Sequence, residues 1–215
     1  MKKCKYLIAF LLIFALIPSL CLTSCKKNRD YDEAEVKAAV EELLRKAEIL
    51  NTVYYGAGIG YITGGYRDGA YYEADGLHLS ALGFSSIKEL EALTRSTFTR
   101  GYSDQLVREK LGEVRVDGVM LTPARYYQKY ADEFYTEEIC IMVYSGNTAI
   151  FDDRMEYDYS TVKVLGSEGE KVKASIEATV SNKDGDTQRV TVSVVLIEED
   201  GWRIDNPVFK NYIAE

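Results

Sequence analysis

Hydrophobic residues recur with helical spacing between residues 33 and 50. Lysines and glutamates separate the apolar positions, which are Val36, Val40, Leu43, Leu44, Ala47 and Leu50. Asp32, with Glu35 three residues later, resembles a capping box in which Asp takes the place of Ser or Thr. The pattern therefore predicts an amphipathic helix that begins directly after Asp32.

A second amphipathic stretch lies in the middle of the chain. Ser85 or Ser86 can cap a helix, because Ile87, Leu90 and Leu93 follow at helical spacing and Phe98 extends the same stripe. A shorter helical turn is predicted to begin at Ser103 and to pass through Leu106, Val107 and Leu111 to an end at Gly112.

Another helix is predicted from a capping signal further along the chain. Thr122 followed by Pro123 has the form of a cap and a first helical residue, and proline is favoured at that first position. The pattern predicts a helix over Ala124 to Phe134. Tyr126 and Tyr130 would then lie one turn apart on the same helix face.

From about Ile139 the periodicity changes from helical to alternating. Small and branched apolar residues alternate with polar ones at Val172, Ala174, Ile176, Ala178 and Val180, and again at Val190, Val192, Val194 and Leu196. Turn residues separate the runs at 166–169, 182–186 and 199–201. This pattern predicts an antiparallel sheet with one buried and one solvated face.

Helices followed by an antiparallel meander are typical of the α+β class, with N-terminal helices packed on a curved C-terminal antiparallel sheet. The chain shows no internal repeat and no second linker. We therefore expect three parts: residues 1–24 as a signal peptide, 25–32 as a lipidated cysteine and short tether, and 33–215 as a single α+β domain.

The N-terminal segment has the form of a lipoprotein signal peptide. A basic start, Met1 to Lys5, precedes an apolar run from Tyr6 to Ile17, and Leu22-Thr23-Ser24-Cys25 follows. The run is shorter than the roughly 20 residues that span a bilayer. The pattern predicts cleavage before Cys25 and a lipid on its thiol, which would anchor the protein to the extracytoplasmic face of the cell membrane.

The net charge of the mature chain limits the kinds of partner that it can bind. Removal of residues 1–24 takes away Lys2, Lys3 and Lys5 and no acid, so the formal net charge falls from −8 to −11. Such an acidic protein is unsuited to contacts with nucleic-acid phosphates. Contact with the membrane is therefore expected through the N-terminal lipid alone.

Few side chains in the mature region point to catalysis or to a metal. Cys140 is the one cysteine after Cys25 and lies among apolar residues, so an inert buried thiol is expected. His78 is the one histidine, in an alternating run that resembles a strand. Glu156 and Asp158 would share a strand face, but Arg154 lies among these acids. We expect no metal, no cofactor and no catalytic residue, although the last expectation stays open.

Glycine and tyrosine are concentrated just after the first predicted helix. Residues 56–65 contain five glycines, but their spacing fits neither the dinucleotide fingerprint nor a phosphate-binding loop. The chain has 17 tyrosines, and six of them lie between residues 54 and 72. Tyrosine combines a large contact area with a polar tip, which suits a recognition surface. The candidate ligand-binding residues are Tyr61, Tyr66, Tyr71, Tyr126 and Tyr130.

The order of elements carries a family resemblance. A leading helix, middle helices and a meander that ends in an acidic turn, Gly201 and Trp202 resemble the nuclear transport factor 2-like, cystatin-like cone. The segment from Ser86-Ile87-Lys88-Glu89-Leu90 through Phe98-Thr99 to Tyr102-Ser103 is similar to bacterial lipoproteins of that fold. The resemblance implies a helix-covered, cone-shaped sheet, and it transfers no catalytic residue to this chain.

Three functions stay open on this sequence. The leading one is a non-catalytic domain that binds a small ligand or a cell-envelope protein. The second is an inhibitor of a cell-wall hydrolase, which would require a protruding acidic loop. The third is a small isomerase-like or dehydratase-like enzyme, which would require an acid or His78 in a pocket beside a tyrosine.

Overall fold

The computed structural model describes residues 30–111, 114–116, 119–122, 125–129, 140–146, 154–181 and 185–209. Its helices are α1 (Glu33–Tyr54), α2 (Gly76–Leu82), α3 (Ile87–Thr97) and α4 (Arg100–Lys110). Its strands are β1 (Arg67–Asp68), β2 (Tyr71–Glu73), β3 (Val114–Val116), β4 (Val119–Thr122), β5 (Tyr126–Lys129), β6 (Cys140–Tyr144), β7 (Arg154–Glu168), β8 (Lys171–Ser181), β9 (Thr187–Glu198) and β10 (Trp202–Ile204).

The described strands form antiparallel sheets. One has the order β1-β2-β6-β5, a second has the order β10-β9-β8-β7, and β3 pairs with β4. Helix α1 packs on β7 and β10, and α3 packs on α1 and α4. N-terminal helices thus lie against a C-terminal antiparallel sheet, which confirms the α+β class.

Helix α1 follows its sequence pattern closely. All six predicted apolar positions are buried, and Asp32 caps the helix by accepting a hydrogen bond from Ala34 N at 2.8 Å. Helix α3 is capped by Ser86, which accepts from Glu89 N, while the Glu89 carboxylate accepts from Ser85 N at 2.6 Å. These side chains satisfy N–H groups that helix ends leave open.

The long strands also confirm their alternation. Along β8, Val172, Ala174, Ile176 and Ala178 are buried, while Lys173 between them is exposed and Ser175 and Glu177 are partly exposed. Along β9, Val192, Val194 and Leu196 are buried. These residues and the stripe of α1 belong to one hydrophobic core, so the sheet buries the face that packs on the helices.

The predicted helix over Ala124 to Phe134 is wrong where the structure describes it. Tyr126–Lys129 form β5, which pairs with β6 in the register Tyr126 to Val143 and Lys129 to Cys140. Tyrosine favours strands, and pairing with a neighbouring strand outweighs a capping signal that was only local. Tyr126 therefore lies on a strand, and Tyr130 lies outside the described residues.

Two boundaries differ from the sequence expectation for local reasons. His78 lies in helix α2 and not in a strand, because Asp75 caps that helix through Leu77 N and Gly83 ends it in the left-handed region at φ +82°. Helix α4 begins at Arg100, three residues before Ser103, whose hydroxyl donates to Arg100 O instead of serving as a cap.

Candidate functional site

The tyrosine-rich segment after α1 folds back on itself between residues 60 and 75. Ile62 N donates to Glu73 O at 3.0 Å, Glu73 N donates to Tyr66 O at 3.0 Å, and Tyr61 bridges Ala74. Strands β1 and β2 form the tip of this hairpin, and β2 joins it to β6. The segment is therefore held by backbone pairing, which gives its side chains defined positions.

Exposed hydrophobic side chains are concentrated in this segment. Of the five large hydrophobic residues that are exposed in the described structure, four lie between residues 61 and 77. Their exposed fractions are 40% for Tyr61, 44% for Ile62, 48% for Tyr66 and 84% for Leu77. The fifth is Leu165, in β7. Such a concentration marks an interaction site more often than scattered exposed residues do.

Aromatic contacts organise the same surface. The rings of Tyr61 and Tyr72 are stacked with centroids 5.0 Å apart, and the Arg67 guanidinium lies 5.2 Å from the Tyr72 ring centroid. Stacking of this kind adds about 0.5–1.5 kcal/mol per pair beyond burial. We call Tyr61, Ile62, Tyr66, Arg67, Tyr72 and Leu77 the tyrosine surface.

Tyr71 lies on the opposite face of the hairpin from Tyr72. It pairs across the sheet with Tyr144, at a ring distance of 5.3 Å, and meets Tyr127 edge-on at 4.8 Å. The Tyr127 hydroxyl donates to Asp68 at 2.8 Å. Of the predicted site residues, Tyr61 stacks on Tyr72 and Tyr66 is exposed in the same segment, while Tyr71 belongs to a separate aromatic cluster.

Tyr126 has a structural environment. It is fully buried, its hydroxyl donates to Val53 O at 2.7 Å, and that hydroxyl accepts from Ile59 N at 3.2 Å. Burial raises the pKa of this phenol. Tyr126 thus ties β5 to the turn that connects α1 to the tyrosine surface.

Arg125 and Lys110 lie beside the same turn. Arg125 Nη2 donates to Gly56 O at 2.8 Å, and the Lys110 ammonium lies 4.2 Å from the Tyr55 ring centroid. Burial lowers the pKa of both groups. Arg125 binds the glycine-rich turn directly, and Lys110 packs on the ring of Tyr55 just before it.

His78 contacts the start of the tyrosine surface. Gly60 N donates to His78 Nδ1 at 2.7 Å, and Asp75 N donates to Gly60 O at 2.8 Å. Both backbone groups of Gly60 are therefore bound by residues at the start of α2. Among the described residues, no group of three or more His, Cys, Asp or Glu side chains could hold a metal ion.

Sequence reasoning missed an acid–tyrosine pair between α1 and β7. Burial raises the pKa of Glu48, and the nearby Tyr159 partly offsets that rise, although no hydrogen bond of the buried Tyr159 hydroxyl is found in the described structure. The Arg45 guanidinium lies 4.2 Å from the Tyr159 ring centroid. Glu48 stands one turn after buried Leu44, and this helical spacing from a core residue was the available signal.

Two of the open clefts in the described structure have linings that include neither Tyr61 nor Tyr72. One, of about 490 Å³, is lined by Arg95, Arg100, Ser103, Glu199, Asp200 and Arg203. The other, of about 360 Å³, is lined by Gly76, Leu79, Ser80, Gly83, Phe84, Ser85 and Glu89. Neither lining includes Glu48, His78 or Tyr159.

The acidic segments have local roles where they are described. The Asp158 carboxylate accepts from Ser160 and Arg189, and Glu199 accepts from Arg100 N at 2.8 Å at the start of α4. Asp152 and Asp153 lie outside the described residues. No helix in the described part of the chain has the length and apolar character needed to cross a membrane. Cys25 also lies outside that part.

Comparisons with protein-family models, with curated proteins and with solved structures find no match for this chain.

Proposed function

We propose that this chain is a lipid-anchored extracytoplasmic lipoprotein whose domain binds a cell-envelope ligand or protein through the tyrosine surface. The observation that carries the proposal is the concentration of exposed hydrophobic side chains at Tyr61, Ile62, Tyr66 and Leu77. The stacked Tyr61–Tyr72 pair and Arg67 lie within the same surface. Rigid, partly polar aromatic rings provide contact area at a low entropic cost, which suits binding.

The lipid anchor rests on the Leu22-Thr23-Ser24-Cys25 sequence. Seven residues, 26–32, separate Cys25 from the first residue of α1, so the anchor lies within about 29 Å of that residue even if the linker is fully extended. Helix α1 has 22 residues and is about 33 Å long. The tyrosine segment follows its opposite end, a position that favours a partner other than the anchoring bilayer.

The charge of the domain supports a partner that is not strongly anionic. The mature chain has a formal net charge of −11 once residues 1–24 are removed, and the tyrosine surface contributes one cation, Arg67. Nucleic acid and anionic lipid headgroups would be repelled by this field. Contact through aromatic faces and hydroxyl groups depends much less on charge.

The test compares binding to isolated cell-envelope material by the mature chain and by a double variant, Tyr61→Ser with Tyr66→Ser. Both side chains are about half exposed, so the variant is expected to fold and to bind at least about tenfold more weakly. Leu165→Ser is the matched control, because it removes an exposed hydrophobic residue elsewhere. Equal binding by all three proteins would show that the tyrosine surface is not the site.

One observation favours the enzyme alternative as a second candidate. Glu48 is a partly buried carboxyl group with a raised pKa near Tyr159, whose buried hydroxyl forms no hydrogen bond in the described structure, and an isomerase-like site needs an acid close to such a tyrosine. The two clefts described above do not reach it. Loss of a measured isomerase or dehydratase activity in Glu48→Gln, with unchanged stability and binding, would support this candidate over the binding domain.

A further inference from the structure

The hydrogen bond between Gly60 and His78 joins the tyrosine surface to helix α2. Gly60 N donates to His78 Nδ1 at 2.7 Å. A Cβ at residue 60 would lie 2.8 Å from the same nitrogen, so the backbone and the imidazole are in close contact. Nδ1 can accept this hydrogen bond only in a neutral imidazole, which carries its own proton on Nε2.

Protonation of His78 removes the acceptor. An imidazolium has N–H groups at both nitrogens, so Gly60 N would then face a second donor at hydrogen-bonding distance. The Asp75 N to Gly60 O bond would be left as the remaining backbone tie between Gly60 and the start of α2. Residue 61, directly after Gly60, is the first member of the tyrosine surface.

The two segments that this hydrogen bond joins carry few charged groups. Residues 56–65 carry no Asp, Glu, Lys, Arg or His, and His78 is the only such residue in α2. The adjacent acids are Glu73 and Asp75, which accept hydrogen bonds from Tyr66 N and Leu77 N. Arg125 binds the glycine-rich turn at Gly56. No acid or base in this group offers Gly60 N a replacement for Nδ1.

We propose that the Gly60–His78 hydrogen bond is a pH-sensitive clamp that holds the tyrosine surface in its binding conformation when His78 is neutral and releases it when His78 is protonated. Histidine is the side chain whose charge ordinarily changes between pH 5 and 8, and this chain has one. The inference rests on the proposed binding function, since it assigns a regulation to that same surface.

The test follows the backbone amides of the isotope-labelled mature chain by NMR from pH 8 to pH 5, with no ligand present. In the wild-type protein, the Gly60 and Tyr61 amides should show one shared transition, and their hydrogen exchange, corrected for the intrinsic effect of pH, should accelerate about three- to tenfold. Binding to isolated cell-envelope material should fall over the same pH interval.

Two variants show whether His78 or another titrating group causes the transition. His78→Asn keeps a side-chain acceptor that does not titrate, so its amides and its binding should stay at the wild-type neutral values throughout. His78→Leu lacks the acceptor and should resemble acidified wild type at every pH. If His78→Leu fails to fold, the comparison of wild type with His78→Asn still decides.

The same transition in wild type and His78→Asn, or none in either, would overturn the clamp. A transition in the amides without a change in binding would overturn its regulatory role. Because the amide measurement needs no ligand, failure of the clamp is distinguishable from failure of the proposed binding function, which the serine variants test.

Discussion

The hydroxyl of Tyr126 lies directly against the backbone of Gly58. A Cβ at residue 58 would be 2.6 Å from that oxygen and 2.9 Å from Arg125 Nη2, and Gly58 has a φ of +78°. No other residue type combines this backbone conformation with this absence of a side chain. Strand β5 therefore packs directly against the turn that leads from α1 to the tyrosine surface.

Replacement of Gly58 by alanine should destabilise the protein more than the same change at Gly69. Gly69 also has a positive φ, of +58°, but nothing lies within 4 Å of its added Cβ, so Gly69→Ala isolates a backbone cost of about 1–2 kcal/mol. Steric overlap should add about 1–3 kcal/mol at residue 58. Urea unfolding measures the free energy of unfolding of both variants. Equal losses would mean that Tyr126 does not pack tightly against this turn.

Removal of one hydroxyl should show the role of Tyr126. Tyr126→Phe leaves Val53 O and Ile59 N without their buried partner, so a loss of about 1–3 kcal/mol in unfolding free energy is expected. Tyr127→Phe, which loses one exposed hydrogen bond to Asp68, should change it by less than about 1 kcal/mol. Thermal or urea unfolding of the two variants would show similar losses if Tyr126 were not a structural residue.

Glu48 predicts an unusual dependence of stability on pH. Burial raises the pKa of Glu48 in the folded protein above its value in the unfolded chain. Protonation of Glu48 therefore stabilises the fold, and this stabilisation is lost as the pH rises through the folded-state pKa. Glu48→Gln should therefore be at least as stable as wild type at pH 7, with the difference shrinking on acidification.

Glu42→Gln is the control, because its difference in stability from wild type should change with pH in the opposite direction. The hydrogen bond from Lys46, at 2.6 Å, lowers the pKa of Glu42, so its contribution is present near neutral pH and lost in acid. Urea unfolding of wild type and both variants between pH 4 and 8 gives the differences. If Glu48→Gln were destabilised most at neutral pH, Glu48 would instead be held as a stabilising anion.

The lipid anchor predicts a change in processing. Cys25→Ala removes the thiol that would carry the lipid, so the variant should accumulate as a precursor or be released from the membrane fraction. Cys21→Ala is the matched control, because Leu20 and not a small residue precedes that cysteine. Unchanged size and membrane retention of Cys25→Ala, judged by mass spectrometry and fractionation, would contradict the anchor.

Periodicity predicted the parts of the fold in which local pattern and burial agree. Helix α1 and strands β8 and β9 each present one apolar face, and each buries that face in the structure. The Thr122-Pro123 signal misled because it is local, whereas β5 is specified by its pairing with β6. No pattern within a single element encodes such a partner.

The candidate site was predictable only in part for a similar reason. The density of tyrosines predicted a recognition surface at residues 54–72, and Tyr61 and Tyr66 are exposed there. Composition could not separate these rings from buried Tyr126, nor could it show the pairing of Glu48 with Tyr159 across α1 and β7. Both distinctions depend on which distant strand packs against each side chain.

The most direct test of the central claim is to map binding on the folded domain. Solubilised cell-wall fragments and envelope extract would be titrated separately into the isotope-labelled mature chain at pH 7.5, and the amide shifts followed by NMR. The largest changes are expected to cluster at Tyr61, Ile62, Tyr66 and Leu77 and to be lost in the Tyr61→Ser, Tyr66→Ser variant. Changes centred instead on the cleft lined by Arg95, Arg100 and Arg203, or on Glu48 and Tyr159, would contradict it.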